Sequence, residues 1–430
     1  MNKIYIIVLD GAADRPIDIL GKKTPLEKAC TPNLDKLASK GKQTMITVID
    51  DNICPESDSG SMALLSYDPM KYYTGRGPLE GLGTGFLDNS KSSIAFRVNF
   101  ASFDNINNKL DRRTSRDLED NELQILADAI CKEVDLSDFG DVTFKLLAFG
   151  HHRGILCFSG NGLQLSGLVS NTDPGFKNVG PFGVPVLNYT PIPLKCTPLI
   201  DDEGAQNTAN IVNAFIERSH KVLKEHPINL KRVIENRLPA NLLLVRDGGE
   251  NPQSLPSFFQ KYGCKVALYG QIPAECGLAR LIGGEFFYSK AEKSQSESEF
   301  LKELEIKVNK KETDVIFVHL KGPDEPGHDN RPEEKVKAIE LIDKNFFAPL
   351  ISHIDENDIV VVTCDHATPC ELGIHSTDKV PILVSGSIIG HDGANRFAER
   401  FALNGGLHME KAIELIPLLV NYRKDGMYEI

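Results

Sequence analysis

The sequence predicts an α/β protein: a doubly wound, mostly parallel sheet carrying an inserted α+β domain. Three observations lead there. Short β-branched runs near both ends of the chain alternate with amphipathic helical patterns, the grammar of a parallel sheet. The middle shows instead the strict apolar–polar alternation of half-buried antiparallel strands. And 430 residues are more than one domain usually holds.

Residues 5–9 (YIIVL) read as a buried strand closed by Asp10-Gly11. Thr31-Pro32 opens a helix, with Thr31 as N-cap, Pro32 at the first helical position and Leu34, Leu37 and Ala38 as the apolar stripe. Residues 93–100 (SIAFRVNF) alternate, and 144–149 and 154–158 resemble two strands joined by a turn. Helical patterns cover 120–133 and 209–223, and the apolar run 266–268 returns to the α/β style. Strands follow at 314–320 (DVIFVHL), 359–363 (IVVVT) and 380–384, with a helix from 331 to about 350 between the first two. One sheet drawn from both ends requires the middle to be an insertion. The expected division is 1–85 with 255–430 as one domain and 88–250 as the other, with hinges at the Gly-rich 80–88 and at 246–256.

The formal net charge of −12 argues against nonspecific nucleic-acid or anionic-membrane binding but not against a small anionic substrate. No apolar stretch approaches the roughly 18–20 residues of a membrane span. The nine cysteines are odd in number, scattered and without a CxxC, which favours a reducing cytoplasm.

Three aspartates stand just beyond predicted strand ends: Asp10, Asp324 and Asp365. Sites in open α/β sheets form outside the carboxyl ends of strands. Three carboxylates delivered to one edge repel unless a cation sits among them. Histidines accompany two of them. His328 follows Asp324 across EPG, which reads as a loop, while His366 adjoins Asp365 and His375 comes nine residues later. Carboxylate with imidazole suits Mn²⁺ or Zn²⁺, and Mg²⁺ where carboxylates dominate. Six ligands crowd one ion and suit two, the clamp common in phosphate chemistry. A lone aspartate after a strand is usually a turn former, but the joint pattern outweighs that reading.

Residues 55–62 (PESDSGSM) offer Ser57, Ser59 and Ser61 before an apolar run, with a helix expected from about Ser59. A serine oxygen at a helix N-terminus beside a metal makes a nucleophile for phosphoryl groups. Local sequence does not choose among the three. Arg76, the run Arg112, Arg113 and Arg116, and Arg246 are anion-binding candidates, each otherwise an ordinary solvated arginine. No GxGxxG or GxxxxGK[ST] loop occurs.

These residues lie within stretches such as VLDGAADRP, SDSGSMALLSYDP, YYTGRGPLE, DRRTSR, LPANLLLVRDGG, HLKGPDEPGHD and TCDHATPCELGIHSTDKVP. Together, along nearly the whole chain, they resemble the archaeal-type cofactor-independent phosphoglycerate mutases of the alkaline phosphatase superfamily. The resemblance implies an alkaline phosphatase-like catalytic domain and a lid domain that binds substrate. It implies two divalent metal ions, Mn²⁺ foremost, with Mg²⁺, Zn²⁺ or Co²⁺ as the others. Asp10, Ser57, Asp365 and His366 would hold one ion, and Asp324, His328 and His375 the other. Ser57 would be the nucleophile. Arg112, Arg113 and Arg116 would grip substrate, with Arg76 and Arg246 as further candidates. Glu56 and Ser61 depart from the family, which commonly has glycine and histidine there. The implied reaction interconverts 3-phosphoglycerate and 2-phosphoglycerate through a phosphoserine, without 2,3-bisphosphoglycerate. The alternative is a metal-dependent phosphomonoesterase or another phosphomutase, and a binding protein with a degenerate site is the rival of another class.

Overall fold

The run IYIIVL forms β1 (Ile4–Leu9), buried at every position. The computed structural model describes residues 2–87, 92–112, 117–150, 152–252, 255–292 and 295–425. They divide into two compact units, residues 1–72 with 254–430 and residues 73–253.

The first unit is built on a seven-stranded sheet. Its further strands are β2 (Gly41–Ile46), β3 (Val266–Gly270), β4 (Glu285–Tyr288), β5 (Val315–Leu320), β6 (Ile359–Thr363) and β7 (Val380–Ser385). The spatial order is β4-β3-β5-β1-β6-β7-β2. The first five run parallel, as the sequence predicts; β7 is antiparallel to β6, and β2 to β7. β2 and β4 gave no sequence signal because they are edge strands, only partly buried and carrying polar residues.

Four helices of this unit matter below: α1 (Pro32–Ala38), α2 (Ser57–Leu64), α3 (Pro273–Leu281) and α4 (Asp324–His328). α1 begins where Thr31-Pro32 predicts, but the Thr31 side chain makes no capping bond. Asp343, from far along the chain, accepts from Leu34 N at 2.8 Å and Asn33 Nδ2 at 2.8 Å instead. The orphan N–H groups of the first turn need an oxygen, and tertiary structure supplies it. The same residue begins a π-helical turn. The helix expected over 331–350 is helical from Pro332 to Ile342, passes through a π-helical turn at Asp343–Phe347, and continues at Ala348–His353.

Two local readings are corrected. The segment after Asp324 is the helical turn α4 rather than a loop. Pro326 stands at its third residue, where no intrahelical donor is needed, so proline does not break it. α2 starts at Ser57, two residues before the expected Ser59.

The second unit carries a five-stranded antiparallel sheet. Ser92–Asp104 pairs with Arg153–Gly160 on one side and with Leu242–Glu250 on the other. Helices Asp120–Glu133 and Glu203–Glu225 cover it through a core that includes Phe96, Phe100, Phe158 and Phe215. No disulfide links the cysteines among the described residues, and no described helix is long and apolar enough to cross a membrane.

Candidate metal and phosphate site

The central strands place the site. β1 lies between β5 and β6, with Leu9 opposite Leu320 and Val8 opposite Thr363. Their carboxyl ends therefore stop at one level, and Asp10, Asp324 and Asp365 leave the sheet side by side. Gly11 permits the approach. Its φ is +56°, and a Cβ there would meet Asp324 Oδ1 at 2.5 Å.

Two ligand clusters result. Asp10, Asp365 and His366 form one, and Asp324, His366 and His375 the other, with ligand atoms within 4.8 Å of one another in each. His366 Nε2 is 3.3 Å from Asp10 Oδ1 and 3.3 Å from Asp365 Oδ2. Ser57 Oγ reaches the first cluster, 3.5 Å from Asp10 Oδ1. His375 Nε2 is 3.5 Å from Asp324 Oδ1, and His328 Nε2 is 3.3 Å from Asp324 Oδ2. His366 thus faces both clusters, where the family resemblance implied one.

The second ring nitrogens are already engaged. His328 Nδ1 donates to Gly373 O at 2.9 Å and His375 Nδ1 to Pro55 O at 3.0 Å. His366 Nδ1 meets Thr368 Oγ1 at 3.1 Å, and that hydroxyl donates to Asp324 Oδ1 at 2.6 Å. A carbonyl can only accept, so the Nδ1 of His328 and His375 carries hydrogen and Nε2 is left for a ligand. Buried Nε2 of His366, Nε2 of His375 and Oδ2 of Asp365 make no hydrogen bond. Orphaned atoms of this kind in each of the two clusters fit divalent cations, which hard carboxylate oxygens and imidazole suit. Burial disfavours the imidazolium of His366, yet Asp365, Asp10 and Asp324 outweigh it and push its pKa up to about 9. A divalent cation would replace that proton.

The serines separate. Ser59 Oγ is spent on the Glu56 backbone, accepting from its N–H at 3.0 Å and donating to its carbonyl at 3.1 Å. Ser61 is fully buried without a hydrogen-bond partner. Ser57 alone of the three faces the carboxylates. Sequence reasoning overlooked three neighbours: His319 and Lys321, within and just after β5, and Glu275 on α3. A histidine inside the apolar run DVIFVHL was the available signal; Glu275 had none. His319 Nδ1 is bonded to Glu275 Oε1, and its Nε2 is 3.1 Å from Asp365 Oδ2. Lys321 Nζ is 2.7 Å from Asp10 Oδ2.

Of the arginine candidates, Arg76, Arg112 and Arg246 lie in the second unit and are buried, not solvated. Arg76 Nε and Arg97 Nη1 share Glu80 Oε1, each at 3.0 Å. Arg246 pairs with Asp247 and lies 3.9 Å over the Phe176 ring. Arg97, opposite Arg246 across the sheet, was missed because it sits in an alternating strand. Burial, then the charges of Arg76, Arg246 and Arg153, pull its pKa down to about 9. Such crowding of guanidinium groups favours an anion. Arg112 is held by Asp173 through two bonds, with Nη2 to Oδ2 at 2.7 Å. Arg113 and Arg116 lie outside the described residues.

A family model described as 2,3-bisphosphoglycerate-independent phosphoglycerate mutase matches residues 38–229. The Aeropyrum pernix protein of that name is 40% identical over 412 residues, covering 94% of this chain and 95% of its own. Its counterpart in Methanoculleus marisnigri is 35% identical, with 98% and 97% covered. Among solved structures, a Pyrococcus horikoshii protein superposes with a TM-score of 0.76 at 30% identity, covering 98% of this chain and 97% of that one. The cofactor-independent phosphoglycerate mutase of Thermoplasma acidophilum gives 0.61 at 31% identity, covering 98% and 100%. With its fold shared and two-fifths of its residues matched along almost the full length of both chains, the protein belongs to the 2,3-bisphosphoglycerate-independent phosphoglycerate mutase family.

Proposed function

We propose that this protein interconverts 3-phosphoglycerate and 2-phosphoglycerate through a phosphoserine on Ser57, as a cytoplasmic isomerase of glycolysis and gluconeogenesis. The observation that carries the reading is Ser57 at the start of α2, its hydroxyl oxygen turned to Asp10 beside the buried, unpartnered Nε2 of His366. Asp10, Ser57, Asp365 and His366 would hold one divalent ion, and Asp324, His328 and His375 a second, Mn²⁺ being the best match to mixed carboxylate and imidazole. Bound there, the ions supply positive charge against the attacking and leaving oxygens.

The residues do the rest. Ser57 attacks phosphorus as the bond to the glycerate oxygen breaks; the phosphoryl group rests on Ser57, and the proton given up by its hydroxyl ends on the departing glycerate oxygen. Ser57 stands at the N-terminus of α2, where the helix dipole favours an anion. Glycerate then takes the group back on its other hydroxyl. Arg76, Arg112 and Arg246 are the proposed anion-holding groups for its carboxylate, joined by Arg97 and, from the sequence, by Arg113 and Arg116.

The test is incubation with 3-phosphoglycerate and Mn²⁺ in the absence of 2,3-bisphosphoglycerate, following 2-phosphoglycerate and free phosphate together. We expect 2-phosphoglycerate with little phosphate, and loss of turnover on chelation. Phosphate alone would make the protein a phosphomonoesterase, and full activity after verified metal removal would refute the metal reading.

A further inference from the structure

Lys321 follows β5 directly and has no part in the ligand sets above. Its Nζ is 2.7 Å from Asp10 Oδ2, 3.5 Å from Ser57 Oγ and 3.7 Å from Glu275 Oε1. The two oxygens of Asp10 are divided between tasks. Oδ1 faces Ser57 at 3.5 Å and His366 at 3.3 Å, while Oδ2 faces the ammonium. Lys321 thus meets Asp10 through the oxygen that does not face Ser57 and His366.

Its position is prepared by buried groups. Glu275 is 2% exposed at the third residue of α3, and its Oε2 accepts from Gln271 N at 2.7 Å and Ile272 N at 3.0 Å. A carboxylate in the first turn of a helix is favoured by the helix dipole. Its Oε1 receives His319 Nδ1 and faces Lys321. His319 is held through that Nδ1 bond, and its Nε2, which makes no hydrogen bond, lies 3.1 Å from Asp365 Oδ2 and 3.7 Å from Asp10 Oδ1. Glu275 and His319 thus brace both Lys321 and the two carboxylates beside Ser57. A lysine whose only task was to neutralise Asp10 would not need its ammonium within reach of a reacting hydroxyl.

We propose that Lys321 is a catalytic residue of the phosphoryl transfer, its ammonium acting as a fixed cation beside Ser57 Oγ, and that Glu275 and His319 are the residues that position it. The inference rests on the proposed role of Ser57. Charge on a transferring phosphoryl group spreads over its equatorial oxygens, and a preorganised donor pays no reorganisation when that charge develops. The lysine gains and loses no proton in the step. It donates a hydrogen bond to the serine oxygen and then to an oxygen of the phosphoryl group that Ser57 carries.

The experiment compares wild type with Lys321→Met, Lys321→Arg and Glu275→Gln. It reads mutase turnover, hydrolysis of p-nitrophenyl phosphate, phosphoserine trapped by acid quench, and Mn²⁺ content and affinity. We expect Lys321→Met to lower kcat about 100- to 1000-fold in both assays, with KM changed less than tenfold and Mn²⁺ content unchanged. Lys321→Arg should recover part of the rate, and Glu275→Gln should fall between. The p-nitrophenyl phosphate assay separates this inference from the mutase reading. If wild type makes no 2-phosphoglycerate but Lys321→Met still slows hydrolysis, the mutase reading fails and the lysine keeps its role. A folded Lys321→Met protein with wild-type turnover in both assays overturns the inference, as does a loss of activity matched by a loss of Mn²⁺ that Lys321→Arg restores.

Discussion

At Ser57 the chemistry depends on where one oxygen points. Ser59 lies two residues away on the same helix, but its hydroxyl closes a cap on Glu56. Ser57→Ala should therefore lower turnover a thousandfold or more and leave no trapped phosphopeptide at that position. Ser59→Ala should keep the phosphopeptide and cost about 1 kcal/mol of stability, the usual worth of a helix cap. A phosphate mapped to Ser59 in an active preparation would reverse the assignment. Arg112 raises a different question. Asp173 is fully buried and its Oδ1 also accepts from Gly175 N at 3.0 Å. Removing the guanidinium leaves that carboxylate uncompensated, which costs about 3–5 kcal/mol. A urea melt of Arg112→Ala should show it. Activity lost by this variant reports on substrate only where the melt shows the protein folded.

The elements that meet at the site are packed without slack. α2 is buried along its whole length, and Gly60 on it touches the backbone after β6: a Cβ there would lie 2.5 Å from Asp365 O. The obstacle is main chain, so a methyl group can be accommodated only by moving α2 or the Asp365 turn. Gly60→Ala should cost about 1–3 kcal/mol as overpacking. Because the displaced segment carries Asp365 and His366, its Mn²⁺ affinity should fall by about tenfold or more, the range for disturbing a ligand's support. A Mn²⁺ titration in which Gly60→Ala matched wild type would show that the helix and the turn move independently.

Over the whole molecule, the excess of acidic residues does not preclude a small anionic substrate. Charge is distributed locally: carboxylates gathered at the end of one sheet, arginines gathered in the other unit. A third buried ionisable group gives the first unit a pH dependence of its own. Glu399 accepts from Thr24 Oγ1 at 2.5 Å and from Asp14 N at 3.1 Å, and burial pushes its pKa from 4.5 up to about 7. The folded state thus holds this proton more tightly than the unfolded chain. Its contribution is complete below about pH 4.5 and is lost as pH rises toward about 7. The loss amounts to about 3 kcal/mol. Glu399→Gln removes the titration, so at pH 8 the variant should be the more stable by up to that amount, with the difference shrinking at pH 5. Parallel urea melts at the two pH values would decide it, and equal stability at pH 8 would refute the shift.

Sequence periodicity alone was enough for β1, β5, β6 and the helix Asp120–Glu133, because a strand buried on both faces or a long amphipathic helix writes its environment into consecutive residues. The same holds for Asp10, Asp365 and His366: a polar residue straight after such a strand is placed by that strand. Partners far apart in sequence carry no such mark. The cap of α1 by Asp343, the turning of Ser57 Oγ toward Asp10, and the place of His366 in both clusters all arise from contacts across the fold. So does the brace of Glu275 and His319 behind Lys321. Each is a distance between segments that local propensity does not encode; the meeting of Asp10 with Asp365 follows from the register of β1 with β5 and β6, which brings their ends to one level.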